Sequence, residues 1–364
     1  MGDQGAVSDR EQHVLGLIEN VRSRRAKFRD PHITMAHGAG GKATQGLIEG
    51  LFVPAFGGET LSQMGDAGEL VVDGVGLAFT TDSYVVKPLR FPGGSIGELA
   101  VNGTVNDLAV AGARPLALSL SLVLEEGLAA DDLRAEVDAI AEAARVAGVE
   151  IVAGDTKVVE RGHADGMYVC TTGIGLRDAR ATLSPSSLRP DDKIILSGSI
   201  GEHGTAIMLA RNEFELDASI ESDTSSLWPA VDSLLGAVGP ELRSMRDATR
   251  GGVASVLNEL ARASSVAMIV RESAVPVHPA VAGAAEILGI DPMYVANEGK
   301  LVAFVAPEAA DAALAALRGV PGCEEAAEIG DVRTEPPGMV LVETSFGGRR
   351  VMDQLVGDPL PRIC

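Results

Sequence analysis

The stretch GSIGELAVNGTVNDLAVAGARP, residues 94–115, decides how this chain is read. Its apolar residues recur at helical spacing and predict a helix over about residues 95–112. Within it Glu98, Asn102 and Asn106 return every four residues. That spacing drifts by only about 40° per step, so the three side chains share one face. Asn is a weak helix former, and a mid-helix glycine such as Gly103 costs about 1 kcal/mol relative to Ala. A solvated face would more cheaply carry Glu, Lys and Gln. The Asn stripe therefore points to buried polar groups aimed at a ligand or across a subunit interface; the alternative is an ordinary surface face built of weak helix formers.

The flanks supply the rest of an α/β (α+β) pattern. GLAFTTD (76–82), PLALSLSLVL (115–124), VEIVAGD (149–155) and MYVCTTGIG (167–175) predict strands. Residues 131–147 predict a second helix, with Leu133, Val137, Ile140, Ala141 and Ala144 at helical spacing. The Pro/Ser-rich TLSPSSLRPDD (182–192) breaks the pattern and marks a domain boundary. Beyond it, strands are expected at 193–198, 267–271, 301–306 and 338–343, and helices at 203–211, 225–237, 251–263, 279–288 and 308–317. The expected plan is an extension over 1–30, a domain over 31–183, a second over 184–343, and a mobile arm over 344–364.

Candidate chemistry gathers at strand ends, where α/β proteins collect ligands. Asp82 closes one strand in TTDSYVVKP (80–88), and Asp155 closes another in GDTKVV (154–159), followed by Thr156 and Lys157. Two carboxylates and a lysine suit a magnesium nucleotide, because Mg²⁺ takes one or two carboxylates and completes its shell with phosphates and water. Each aspartate alone is more often a turn residue or cap. The cluster MAHGAGGKAT (35–44) offers the backbone N–H groups of Gly38, Gly40 and Gly41, and Lys42, to phosphate oxygens. It is not a Walker A loop, which needs Gly where Ala36 stands and Ser or Thr where Ala43 stands. MRDATRGGVASVLNELA (245–261) places Asp247 and Thr249, good N-cap types, before a glycine-opened helix, which is either a plain cap or an anion site. Glu298 sits just before a strand in VANEGKLVAF (295–304), as a turn acid or a general base.

Length bounds the answer too. At 364 residues the chain exceeds one ordinary core. A net charge of −21 argues against nucleic-acid binding and against adhesion to anionic membranes. No apolar run reaches the roughly 18 residues that span a bilayer, and the first residues lack a signal-peptide pattern. Cys170, Cys323 and Cys364 form no C-x-x-C pair, so a reducing, cytoplasmic setting is expected. Cys364 holds the last position of the sequence, in PLPRIC (359–364), on what reads as an unanchored segment.

TTDSYVVKP, GTVNDLAVAGARP, GDTKVV and DATRGGVASVLNELA, in this order, resemble the aminoimidazole-ribonucleotide-synthetase-like (PurM-like) superfamily of ATP enzymes. With HGAGGK ahead of them and PRIC behind, the chain looks like the HypE family of hydrogenase-maturation carbamoyl dehydratases, over about residues 31–364. The resemblance implies an ATP-binding, dimerising N-terminal domain and a second α/β domain. It implies that Asp82, Asn106, Asp155 and Thr156 bind Mg-ATP, with Gly38, Gly40, Gly41 and Lys42 closing over the phosphates. Asp82, Asp155 and Asp247 would hold the metal; Lys157 and Glu298 would handle protons. Cys364 would accept a carbamoyl group from a HypF carbamoyltransferase, carry it through dehydration to a thiocyanate, and yield cyanide through a HypC–HypD complex to NiFe-hydrogenase iron. Two rivals stand beside it: a small-molecule ATP enzyme of the same superfamily, and a non-catalytic adaptor with a docking tail.

Overall fold

The computed structural model describes residues 28–211, 219–357, 360 and 362–364. The amphipathic stretch HVLGLIENV (13–21), and most of the expected extension with it, lies outside them.

The first domain is a sheet carrying helices. Its strands are β1 (Gly68–Val72), β2 (Val75–Tyr84), β3 (Ala113–Glu125), β4 (Glu150–Val159) and β5 (Met167–Arg177), in the order β1-β2-β5-β3-β4. Only β3 and β4 run parallel. Parallel neighbours need a long crossover, and α2 (Ala130–Ala147) supplies it, ended by Gly148 in the left-handed conformation. The helix from the opening stretch is α1 (Ile96–Val110), whose residues are all buried except Glu98 and Asp107. It lies against β2, β3 and β5 on one side. Gly103 is required there, since a Cβ would collide with the Tyr84 hydroxyl.

The second domain holds β6 (Lys193–Leu196), β7 (Leu242–Asp247), β8 (Ala267–Arg271), β9 (Leu301–Val305), β10 (Ala327–Arg333), β11 (Val340–Glu343) and β12 (Arg349–Met352). Their order is β12-β11-β8-β10-β6-β9-β7. Of its helices, α3 (Glu202–Ala210), α4 (Trp228–Val238) and α5 (Gly252–Ala263) bear on the site. One apolar core joins α5 to Ile194, Met268, Phe304 and Val340 of the sheet; another joins α4 to Ile195, Leu301 and Ala303. No helix among the described residues is long and apolar enough to cross a membrane.

The Asn stripe is the seam between the domains. Asn106 donates to the carbonyls of Ser225 (2.9 Å) and Glu298 (3.1 Å), and accepts from the Leu227 N–H (2.7 Å). Asn102 reaches Thr224 at 3.3 Å. The hydrogen bonds of both asparagines thus run to the same chain's second domain. Asn106→Ala should cost about 2–3 kcal/mol, because it strands buried backbone groups; a urea midpoint unchanged from the parent would refute this.

Part of the expected mobile arm is built into the second sheet. Residues 349–352 form β12, paired antiparallel to β11. After it the chain runs beside the glycine loop, where the Lys42 and Ala43 N–H groups donate to the Leu355 and Val356 carbonyls at 2.9 and 3.3 Å. The final described residues lie between the two domains.

Candidate active site

Four elements deliver carboxylates to one cleft. Asp82 sits near the end of β2, Asp107 on the last turn of α1, Asp247 at the end of β7, and Asp66 just ahead of β1. One oxygen from each of Asp66, Asp107 and Asp247 lies within 4.8 Å of the others. Asp82 adds its charge nearby, raising Asp107 and Asp247, and accepts from the Thr104 hydroxyl at 3.3 Å. Burial first, and then mutual repulsion, pushes the Asp107 and Asp247 carboxyls well above the usual range. Burial likewise raises Asp66, against the opposing pull of Arg246 at 3.0 Å. Arg246 beside them and Arg250 across the cleft are the cations that the described structure sets near these acids. Three converging hard oxygen donors with too little compensating charge fit a divalent cation such as Mg²⁺.

Glu298 and Arg250 face the same space. Glu298 is 3% exposed, its Oε1 has no hydrogen-bond partner, and burial followed by Asp247 holds its carboxyl well above the ordinary value. Its backbone is fixed: the Glu298 and Gly299 N–H groups donate to Asp223 at 3.0 and 3.2 Å. Arg250 donates to the Gly38 carbonyl at 2.9 Å, and the charge of Cys364, ahead of Asp82 and Glu298, strengthens its hold on its proton. Cys364 lines this cleft with Asp82, Asp107, Asp247, Thr249, Arg250 and Glu298. A neighbouring cavity of about 220 Å³ lies between the glycine loop and α5, and a largely apolar one of about 550 Å³ between residues 33–39 and Cys364. Arg250 borders all three spaces.

The residues singled out from sequence divide accordingly. Asp82, Asp247, Glu298 and Cys364 come together, and Gly38 and Gly40 face Asp247 and Arg250 across the 220 Å³ cavity. Gly41 and Lys42 turn the other way: a Cβ on Gly41 would collide with the Leu355 carbonyl, and Lys42 pairs with Asp353 at 2.7 Å. Asn106 is engaged at the seam and does not line the cleft. Asp155, Thr156 and Lys157 lie on the exposed edge strand β4. Three strand spacings, roughly 14 Å, separate β4 from β2. Asp155 shares its row with Ser121, Cys170 and Ser83, so it projects from the sheet face opposite to Asp82. Within one chain, therefore, the two strand-end aspartates do not share a metal.

Asp66, Asp107 and Arg250 escaped the sequence reading. A signal for Asp107 was present: it is the sole charged residue between Leu99 and Ala113, in a helix otherwise read as buried.

Two α/β domains seamed along one buried helix, with a carboxylate-lined cleft between them, define the class: PurM-like two-domain proteins. The AIR synthase related protein family matches both halves, its N-terminal domain at residues 51–177 and its C-terminal domain at 189–342. Carbamoyl dehydratase HypE of Rhizobium leguminosarum bv. viciae is 50% identical over 350 residues, 96% of this chain and 100% of the relative. The structure of a HypE–HypF complex superposes with a TM-score of 0.81 at 42% identity, covering 85% of this chain and 99% of that one. A HypE structure in complex with ATP gives a TM-score of 0.77 at 45% identity, covering 92% and 100%. The chain belongs to the carbamoyl dehydratase HypE family.

Proposed function

We propose that this chain is an ATP-dependent carbamoyl dehydratase that carries its substrate on its own Cys364. A HypF-type carbamoyltransferase loads the thiol, dehydration leaves a thiocyanate, and a HypC–HypD complex takes the cyanide for NiFe-hydrogenase iron. The observation that carries this reading is the position of Cys364, set among Asp82, Asp107, Asp247, Arg250 and Glu298.

In the net reaction S-carbamoyl cysteine and ATP give the thiocyanate, ADP and phosphate. The C–O bond breaks, the amide nitrogen loses both protons, and no electrons pass to an outside oxidant. ATP, when bound, supplies the phosphoryl group that makes the carbamoyl oxygen a leaving group. Asp66, Asp107 and Asp247, with Asp82 beside them, would hold the Mg²⁺ that neutralises phosphate charge. Arg250 provides a fixed positive charge between the sulfur and the acids. Glu298, whose carboxyl burial holds well above its ordinary value, is suited to take an N–H proton. The apolar cavity beside residues 33–39 has room for a nucleobase, with the phosphates then reaching Arg250 and the glycine loop.

Exposed Leu70, Val71 and Val72 on β1, and Val152 and Val158 on β4, support a homodimer formed through this sheet. Such pairing is the means by which Asp155, Thr156 and Lys157 would meet a cleft, that of the second copy.

Intact-mass spectrometry tests the reading. With carbamoyl phosphate, ATP and the carbamoyltransferase, Cys364 should gain a carbamoyl mass and then lose the mass of one water. A tail left unmodified while the transferase consumes carbamoyl phosphate would overturn it.

A further inference from the structure

The last three residues are held by far more than a loosely tethered arm requires. Each of their carbonyls accepts a hydrogen bond from the body of the protein. The Arg362 carbonyl accepts from Arg211 Nη2 at 2.5 Å and from the Lys87 N–H at 3.4 Å. That of Ile363 meets His203 Nε2 at 2.6 Å, and that of Cys364 accepts from the Val85 N–H at 3.2 Å. Donors and acceptors both step by two residues along 85–87 and 362–364, the pattern of a strand added to an edge.

Side chains fix the register. Leu360 and Ile363 are buried in a core shared with Tyr84, Phe91, Ile207 and Val295. Arg362 pairs with Asp165 at 2.7 Å. The Arg362 backbone has φ +60°, a left-handed conformation that costs a non-glycine residue about 1–2 kcal/mol and persists only where its surroundings over-determine it.

His203, on α3, is fully buried, with Phe91 edge-on at 5.6 Å. A carbonyl can only accept, so Nε2 carries the hydrogen, and Nδ1 accepts from the Ser222 hydroxyl at 2.8 Å. One buried ring thus ties the residue next to Cys364 to a rigid helix.

We propose that residues 85–87, Asp165, His203 and Arg211 form a dock that reads the chain's own Leu-x-Arg-Ile-Cys ending, and that His203 is the positioning residue that places the Cys364 sulfur in the cleft. The dock also shields that sulfur between loading and hand-over. The catalytic meaning of this positioning rests on the function proposed above; the docking does not.

The test is site-resolved alkylation of the full-length chain by iodoacetamide, followed by peptide mass spectrometry, with neither ATP nor carbamoyl donor present. Cys364 should react at least about tenfold slower in the folded wild type than in urea. The loss of one buried hydrogen bond in His203→Ala should accelerate it about tenfold. His203→Gln, which still offers an N–H to the Ile363 carbonyl, should restore most of the protection, and Cys170 should react alike in all. Asp165→Ala, which breaks the Arg362 pair at the surface, should also speed Cys364 labelling even if His203→Ala fails to fold. Wild-type labelling as fast as in urea, or Asp165→Ala and His203→Gln both labelling at rates unrelated to these expectations, overturns the dock. Protection without any carbamoyl or water mass change would instead sink only the dehydratase reading.

Discussion

Asp107→Asn is expected to lower ATP-dependent dehydration by more than about 100-fold, the upper range for losing a mere outer-shell partner of a metal. The same substitution should raise the melting temperature of the metal-free protein by a few degrees. The two effects have one cause. Asp66, Asp107 and Asp247 bring oxygens within 4.8 Å of one another, and among the described residues only Asp66 of the three forms an ion pair with an arginine. At that distance a fully ionised pair repels by about 3 kcal/mol at an effective dielectric of about 20. An asparagine at 107 can still accept from Thr80, as the carboxylate does at 2.7 Å, so relief of repulsion outweighs the lost contact.

The pH dependence carries a definite sign. The Asp107 and Asp247 carboxyls lie well above their ordinary value through burial and then neighbouring acids. The folded state therefore holds protons that the unfolded chain releases, and metal-free stability should fall as pH rises from about 4 through the raised values. Saturating Mg²⁺, binding the ionised form, should flatten that fall. Calorimetric scans with EDTA and with Mg²⁺ across this range decide it. A wild type indifferent to Mg²⁺, or an Asn variant that melts lower without metal, would remove the cation site.

Why the motifs paired Asp82 with Asp155, which does not approach it within one chain, is a matter of topology. A motif marks the end of a strand; it does not say which strand lies beside it or which face a residue takes. The order β1-β2-β5-β3-β4 puts the ends of β2 and β4 at opposite sides of β5 and β3. The carboxylates that do approach one another come from a helix, a loop and the other domain. The long apolar strands and α1 were legible because their periodicity is strong. The short strand β1, with GELVV largely exposed, and β7, whose LRSMRD alternates only loosely, carry little of that signal. Strand β12 was hidden by Gly347 and Gly348 before it, and no local pattern announces its pairing with β11, although β11 itself was expected at 338–343. The Asn stripe was legible as buried polarity, but its partners at Ser225, Leu227 and Glu298 lie more than a hundred residues away.

Glu298→Gln should stop the chemistry while sparing its preliminaries. Gln is nearly isosteric, and the segment holding it is fixed independently of the side chain: Asn297 accepts from Gly201 at 2.7 Å and donates to Ala248 at 3.0 Å, while Asp223 binds two backbone N–H groups. ATP affinity and loading of Cys364 should stay within about twofold, and the rate of water loss should fall about 10²–10⁴-fold, the range for removing a general base. Carbamoylated Cys364 should then accumulate, visible as a mass that no longer declines on adding ATP. In the wild type, a base must be ionised to work, so the dehydration rate should climb as pH rises through the elevated Glu298 value. The Gln variant should lose that limb. If it dehydrates at the parental rate, or keeps the limb, the proton goes elsewhere, and Lys157 from a second copy becomes the group to change. Burial is what makes the experiment discriminating: a solvent-exposed carboxylate would already be ionised at every pH where the enzyme is folded, and its removal could not take a pH limb with it.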